Sequence, residues 1–226
     1  MMKINRLLLC GLLLSSTSSQ ALTIDLRHEW LDDSKQQKDR ILLSHRFDNG
    51  IGISFEDKWR SGDKNPNRPF DKMVGNGTET TLTYQYKVTP ALFLQPGFAV
   101  ESNTGNNIYK PSLTAGYTFS NGLYFNTRYR YEETRYSNDT SSKKTNRGEI
   151  WLGYRLNNWR LEYNYIYRHS NKILFDNARW DYEEDLKLAY NLTKHWTPFA
   201  EIGNVSVNST SHDRQTRFRV GIQYAF

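Results

Sequence analysis

The chain has 226 residues, of which 37% are hydrophobic, and its mean hydropathy is −0.77. This polarity excludes a bundle of membrane helices, since the longest apolar run, residues 7–14, is far shorter than the roughly 20 residues that a spanning helix needs. Aromatic residues nevertheless make up 14% of the chain, which suits a protein whose apolar surface meets lipid. Composition therefore leaves two classes, a polar water-soluble β-protein and an outer-membrane β-barrel.

The start of the chain has the pattern of an export signal. Lys3 and Arg6 precede the apolar run, and a small-x-small cleavage site follows it. This predicts a secretory signal peptide over residues 1–21 and one barrel domain over residues 22–226. Cleavage would remove Cys10, the chain's one cysteine, so neither a disulfide nor a thiolate metal site is expected. The net charge of +6 would suit nucleic acid, but export makes an anionic solute the expected partner.

From residue 22 onward, apolar and polar residues alternate with a period of two, which is typical of half-buried strands. In the first segment Ile24 and Leu26 share one face, while Asp25 and Arg27 take the other. Turn signals such as the Asp-Asn-Gly at 48–50 separate the segments. About twelve strands are predicted, over residues 22–30, 40–47, 51–60, 79–88, 92–101, 109–119, 123–131, 149–156, 159–168, 179–190, 196–205 and 214–226.

The connections between these segments favour a membrane barrel over a soluble sandwich. Short turns alternate with longer loops, as in bacterial barrels with periplasmic turns and outer loops. The predicted long loops are residues 31–39, 61–77, 102–108, 137–146, 170–178 and 206–213. We therefore expect an all-β fold, a transmembrane antiparallel up-and-down β-barrel with both termini on the periplasmic side. Its apolar faces should be exposed to lipid; they include Leu82, Tyr84, Tyr163, Tyr165, Phe218 and Ile222.

Assigning faces by parity places most charged residues inside the barrel, sorted by sector. One basic group lies on the first, second and last strands and comprises Arg27, Arg40, Arg46, Arg217 and Arg219. A second lies nearly opposite and comprises Arg128, Arg130, Arg147, Arg155, Arg160 and Arg168. Acidic residues fill the gaps: Glu56, Glu79 and Glu101 on one side, and Asp181, Glu183, Asp185 and Glu201 on the other. Facing basic ladders would offer a polyanionic solute a succession of weak sites. The alternative is a lumen filled and plugged by its own ion pairs.

Several segments resemble the oligogalacturonate-specific porin family (KdgM type) of enterobacterial outer membranes, above all WTPFAEIGNVS and HDRQTRFRVGIQYAF. The resemblance implies a monomeric twelve-strand barrel, without cofactor or metal, that passes acidic oligosaccharides from pectin breakdown along arginine-lined tracks. Related channels of this architecture carry sialic acid, which is the alternative sugar. The terminal strand, ending on Phe226, resembles the signal read by the outer-membrane barrel assembly machinery.

The resemblance also implies which basic side chains line the pore. These are Arg27, Arg40, Arg46, Lys58, Arg128, Arg130, Arg214, Arg217 and Arg219. Lys110 stands where the family pattern has arginine, which keeps the charge but loses the planar fork. Arg155, Arg160 and Arg168 are assigned to the pore by parity alone.

An outer-membrane barrel enzyme, a protease or a lipase, is the alternative of a different class, beside a purely structural barrel. Ser44 and His45 are adjacent on one strand and so point to opposite faces. His212 and Asp213 form the one loop pair that a protease site could use. No set of residues meets the geometric roles of a catalytic site, so we expect no enzyme activity.

Overall fold

A computed structural model describes residues 22–62, 69–138 and 141–226, which form a closed antiparallel β-barrel. The predicted signal peptide, residues 1–21, lies outside the described residues and stays a prediction. In the described part of the chain no helix is long and apolar enough to cross a membrane. The strands are β1 (Thr23–Leu31), β2 (Gln37–Arg46), β3 (Ile51–Ser61), β4 (Met73–Tyr84, continued by Tyr86–Lys87), β5 (Leu92–Asn103), β6 (Asn106–Thr118), β7 (Leu123–Tyr136), β8 (Lys143–Leu156), β9 (Trp159–Ser170), β10 (Trp180–Tyr190), β11 (Trp196–Ser206) and β12 (Arg214–Ala225).

Every strand pairs with its neighbours in the chain, and β1 pairs with β12 to close the barrel. The predicted twelve-strand up-and-down barrel is therefore confirmed. The Phe226 amide donates to the Leu22 carbonyl (3.1 Å), so both described ends lie together. They share that end with the tight turns at residues 47–50, 119–122 and 157–158. We call this the short-turn end, and the opposite one the long-loop end.

The turn at residues 47–50 shows how the sequence fixes a hairpin. Gly50 has φ +90°, a left-handed backbone that residues with a Cβ seldom adopt. Its carbonyl accepts a hydrogen bond from the Gln85 amide (2.8 Å), at the interruption of β4. A Cβ at Gly50 would lie 2.5 Å from the Gln85 carbonyl oxygen, so this position requires glycine.

At the long-loop end the strands are longer than predicted. β4 begins at Met73 instead of residue 79, β8 begins at Lys143 instead of 149, and β7 ends at Tyr136 instead of 131. The predicted long loop at 102–108 is a tight turn around Gly105, whose φ is +85°. Alternation fades in these parts because both faces of a strand that projects past the bilayer meet water, so polarity there resembles that of a loop.

The exterior is apolar, as the alternation predicts. Of the six residues expected to face lipid, Leu82, Tyr84, Tyr163 and Phe218 are exposed, with Leu82 56% accessible. Tyr165 and Ile222 are partly exposed. In a water-soluble protein these side chains would form the core, whereas here the barrel interior is charged. A surface of this kind is stable when lipid covers it.

Candidate functional site

The candidate site is the charged lumen, and its predicted basic residues lie on two walls. On β12 and β1 to β3 these are Arg217, Arg219, Arg27, Arg40, Arg46 and Lys58. On β6 to β9 they are Lys110, Arg128, Arg130, Arg155, Arg160 and Arg168. In a ring of twelve strands the two sets of strands are opposite. Whether these side chains contact a solute stays a prediction.

On the first wall the arginines are tied to buried carboxylates. Arg217 Nη2 lies 2.6 Å from both carboxylate oxygens of Asp185. Arg219 pairs with Glu29 (Nε to Oε2, 2.7 Å) and also with Glu201. Arg40 is held in the same way, with Nη2 2.6 Å from Asp25 Oδ1 and Nη1 3.2 Å from Glu56 Oε2. These guanidinium groups are therefore held in position and partly neutralised.

On the second wall the central carboxylate is Glu149, which is 2% exposed. Arg128 binds it with a two-pronged contact, Nε to Oε1 (2.7 Å) and Nη2 to Oε2 (2.8 Å). Arg147 adds a third contact (3.1 Å), while Arg130 reaches Glu132 at 3.9 Å. One buried carboxylate thus serves two arginines and leaves this wall with an excess of positive charge.

Between the walls, three glutamates form a row across β3, β4 and β5. Glu56 pairs in register with Glu79, and Glu79 with Glu101. Two lysines and Arg40 neutralise the row. Lys58 Nζ lies 2.9 Å from Glu101, and Lys110 Nζ lies 2.7 Å from Glu79 and also contacts Glu101. Arg40 pairs with Glu56, as described above. Lys110 therefore bridges two carboxylates as a compact point charge. The acidic sector on β10 is bound in the same way, with Arg168 Nη1 2.7 Å from Glu183.

Other predicted basic residues lack such a partner. Within the described parts of the chain, no carboxylate oxygen lies within 4.0 Å of the charged groups of Arg27, Arg46, Arg155 and Arg160. Arg46 instead donates to the Gly50 carbonyl (2.9 Å) and to Gln95 Oε1 (2.8 Å). These cations keep their full charge, so they are the ones most available to an anion in the lumen.

Arg214, also predicted to line the pore, lies at the start of β12. Its guanidinium lies between β10 and β11, where it donates to the carbonyls of Tyr182 (2.7 Å) and Asn204 (3.0 Å). It also stacks 3.8 Å from the Tyr182 ring centroid. The even-numbered residues of β12 face outward, so Arg214 and Arg217 lie on opposite faces. Arg214 Nη1 also lies 3.4 Å from Oδ1 of Asp181, which belongs to the acidic sector on β10. Arg214 therefore joins strand ends at the long-loop end, and its role in the pore stays a prediction.

Two polar cavities open along the lumen. One, about 330 Å³, lies toward the short-turn end and includes Ser44, Arg46 and Gln95 among its lining residues. The other, about 690 Å³, lies toward the long-loop end and includes Glu29 and Arg217. Charged and polar walls of this kind suit a hydrated polar solute rather than an apolar one.

Three of the carboxylates that hold lumen arginines were not among the predicted acidic residues of the lumen. Asp25, Glu29 and Glu149 each hold at least one predicted arginine. Parity already places all three on lumen faces, so their orientation can be predicted from the sequence. Their arginine partners cannot be predicted in this way, because each contact depends on the register between neighbouring strands. Lys187 and Tyr124 were also missed as lumen residues.

The two residue pairs considered for catalysis lie in settings that do not resemble a catalytic site. Ser44 lines the lumen, while the ring of His45 packs against Phe47 on the outer face (centroids 4.4 Å apart). His212 Nε2 is 3.7 Å from Asp213 Oδ1, and both side chains are exposed in a loop. In the described ranges no three potential ligand side chains group around a metal position.

A sequence model of the oligogalacturonate-specific porin protein family (KdgM) matches residues 15–226. The chain belongs to this family. It is therefore an outer-membrane porin, a channel and not an enzyme. The family and the fold that the sequence resemblance implied are confirmed.

Among similar proteins, the oligogalacturonate-specific porin KdgM of Dickeya dadantii is 40% identical over 236 residues and covers 100% of both chains. YiiY of Salmonella typhimurium is 42% identical over 212 residues, 93% of this porin and 92% of YiiY. The N-acetylneuraminic acid outer membrane channel protein NanC of Escherichia coli is 24% identical over 237 residues, with 96% and 97% covered. A solved structure of the KdgM porin in complex with disordered oligogalacturonate has a TM-score of 0.70 at 35% identity, covering 90% of this chain and 99% of that one.

Proposed function

We propose that this porin passes acidic oligosaccharides, above all oligogalacturonates, by diffusion through its lumen. The observation that carries the proposal is the pair of opposite basic walls. They include the cations Arg46, Arg155 and Arg160, which have no carboxylate partner among the residues that the structure describes. A chain of uronates carries a carboxylate on each sugar, so it can exchange one weak contact for the next as it moves. The similar porin whose structure was solved with oligogalacturonate supports this choice of solute.

Planar-bilayer conductance tests the proposal. We expect an anion-selective current that oligogalacturonate reduces in a concentration-dependent way, because the sugar occupies the same lumen as the ions. A neutral oligosaccharide of similar length is the control for simple obstruction. N-acetylneuraminic acid added in the same way tests the alternative sugar. A cation-selective channel, or one that the neutral sugar blocks equally well, would contradict the proposal.

We further propose that the porin acts as a monomer, that its short-turn end faces the periplasm, and that the assembly machinery reads its last strand. Closure of the barrel through β1 and β12 leaves no strand edge for a partner chain. The aromatic C-terminal strand, ending at Phe226, supports recognition during assembly. The even number of strands and the shared position of Leu22 and Phe226 support a common side for both termini.

A further inference from the structure

Three cations lie near the short-turn mouth of the lumen, outside the ion-pair networks. Arg155 on β8 and Arg160 on β9 are in-register neighbours across the two strands. Lys187 on β10 is a diagonal neighbour of Arg160, which pairs in register with Ala189. As for the two arginines, no carboxylate oxygen of the described residues lies within 4.0 Å of the Lys187 ammonium. Diagonal neighbours lie about 7–8 Å apart, so one solute can contact more than one of these groups.

Two of these cations lie on aromatic rings that are packed flat against the wall. The Arg155 guanidinium is 4.4 Å from the Tyr124 ring centroid, and Lys187 Nζ is 3.9 Å from that of Phe199. Tyr124 covers Gly153 so closely that a Cβ there would lie 2.0 Å from a ring carbon. Phe199 covers Gly221 in the same way, at 2.3 Å. We call each ring and its glycine a ring seat.

A ring seat holds a cation without neutralising it. A cation is attracted to the face of an aromatic ring, and the ring itself carries no net charge. Lys187 has two acidic in-register neighbours, Glu162 on β9 and Glu201 on β11. Both are engaged elsewhere, since the Tyr124 hydroxyl donates to Glu162 Oε2 at 2.5 Å and Arg219 pairs with Glu201. The charge of Arg155 therefore stays available to a ligand, in contrast to that of Arg217, which Asp185 binds.

We propose that Arg155, Arg160 and Lys187 form a carboxylate-binding subsite at the short-turn mouth, with Tyr124 and Phe199 as positioning residues. The subsite rests on the proposed function, because its ligand is a carboxylate of the acidic oligosaccharide that passes the lumen. A guanidinium fork binds a carboxylate through two parallel hydrogen bonds. The subsite would hold the end of the sugar chain at the mouth before release.

The barrel offers an internal control for the packing of these seats. Phe93 covers Gly116 as closely as the other rings cover their glycines, at 2.2 Å. Among the described residues no cation stacks on the Phe93 ring. Replacing Phe93 by leucine therefore disturbs one ring seat without touching the proposed subsite.

The test uses the full porin in planar bilayers and measures two quantities, the half-blocking concentration of oligogalacturonate and the reversal potential in a KCl gradient. In the double variant Arg155→Gln/Arg160→Gln we expect block to need about tenfold more sugar, since charge-assisted hydrogen bonds are lost. Anion selectivity should fall as well. Tyr124→Leu should weaken block and leave the reversal potential close to that of the wild type, because it misplaces Arg155 but keeps its charge. Phe93→Leu should change neither quantity.

If the Gln variant does not assemble, the double variant Arg155→Lys/Arg160→Lys provides the test. It should preserve anion selectivity and weaken block by the sugar, because it keeps both charges and loses only the planar guanidinium fork. Unchanged block in the charge-removing or the Lys variant, or an equal loss in Phe93→Leu, would overturn the subsite. A wild-type channel that oligogalacturonate does not block would contradict the proposed function. The subsite, whose ligand is that sugar, would then be overturned together with the proposed function, whereas normal block of the wild type with unchanged block in the variants would overturn the subsite alone.

Discussion

At the scale of single residues, the lumen separates cations that belong to the wall from cations that are available to a solute. Arg217 is almost fully buried and bound by Asp185, whereas Arg46 contacts only neutral oxygens among the described residues. A buried ion pair is expensive to form from two solvated charges, but removing one partner costs still more. Bound arginines therefore stabilise the wall, and the arginines without a carboxylate partner among the described residues are the ones that we propose contact a solute.

Replacing Arg217 and Arg219 together by alanine should reduce anion selectivity and oligogalacturonate flux. The change removes two positive charges and leaves Asp185 and Glu29 short of partners, so the lumen becomes more favourable to cations. The reversal potential in a KCl gradient measures this shift, and the Arg→Lys pair should show a smaller one. Arg135→Ala is the control, because that arginine is exposed outside the lumen. A double alanine variant that selects anions as before would contradict the assigned roles.

Glu149→Gln should act in the opposite direction on selectivity. The amide cannot neutralise Arg128 and Arg147, so the second wall becomes more positive and anion selectivity should rise. Because the carboxylate is buried, its loss should cost roughly 3 kcal/mol of stability, measurable by urea unfolding of the porin in micelles. Glu133→Gln, which breaks an exposed pair with Arg135, should cost less than about 1 kcal/mol. Equal effects of the two changes would show that burial of Glu149 is unimportant.

At the scale of elements, the two ends of the hairpins differ: the short turns have a defined backbone conformation, whereas the strands at the long-loop end vary in length. The short turns use residues whose backbone is preset, such as Gly50 and Gly122, both with φ +90°. At the other end β7 and β8 continue past the apolar belt, and the connections 171–179 and 207–213 join through the hydrogen bond from the Asp176 amide to the Ser211 carbonyl (3.2 Å). A tight turn fixes the register of its strands, and so places the lumen side chains.

Gly50→Ala should therefore destabilise the barrel by at least about 1 kcal/mol, since alanine is strained at positive φ and its Cβ would meet the Gln85 carbonyl. Urea unfolding, or the temperature at which the folded band is lost on a gel, measures the effect. Gly75→Ala is the matched control, because the space around Gly75 is open within 4 Å. Should both alanines prove equally harmless, the preset turn would not be needed for stability.

At the scale of the whole molecule, closure of the barrel determines which faces of the strands point into the lumen. The same alternating strands would give a soluble protein if the apolar face were covered and the charged face met water. Pairing of β1 with β12 instead encloses the charged faces, and lipid covers the apolar ones. The result is a polar channel within an apolar shell, the arrangement that a solute with many charges needs to cross a membrane.

The proposed orientation gives a prediction for intact cells. A cysteine placed at Asn177, in a long loop, should react with a membrane-impermeant maleimide added outside, whereas one at Asn158, in a short turn, should not. Because Cys10 lies in the predicted signal peptide, the mature porin should give no background. Labelling after the cells are opened controls for reactivity at both positions. The reverse pattern would place the short-turn end outside.

The sequence by itself determined the class of the protein. Period-two alternation through residues such as Tyr163 and Phe218, the turn glycines and the aromatic last strand lead to an outer-membrane barrel, since each is a local signal that needs no knowledge of the fold. Parity also placed Arg217 and Arg219 inside, because a strand has two faces and only one of them is apolar here.

Only the tertiary structure decided which charges are paired. The sequence places Arg128 and Glu149 on lumen faces, but their contact depends on the register between β7 and β8, across a loop whose length leaves several registers open. The position of Arg214 between β10 and β11 also comes from the tertiary structure. These two strands separate toward the long-loop end, and the guanidinium donates hydrogen bonds to the carbonyls that are left unpaired there. Residue type and parity identify a charged lumen, whereas free and neutralised cations are distinguished by distances across the closed barrel.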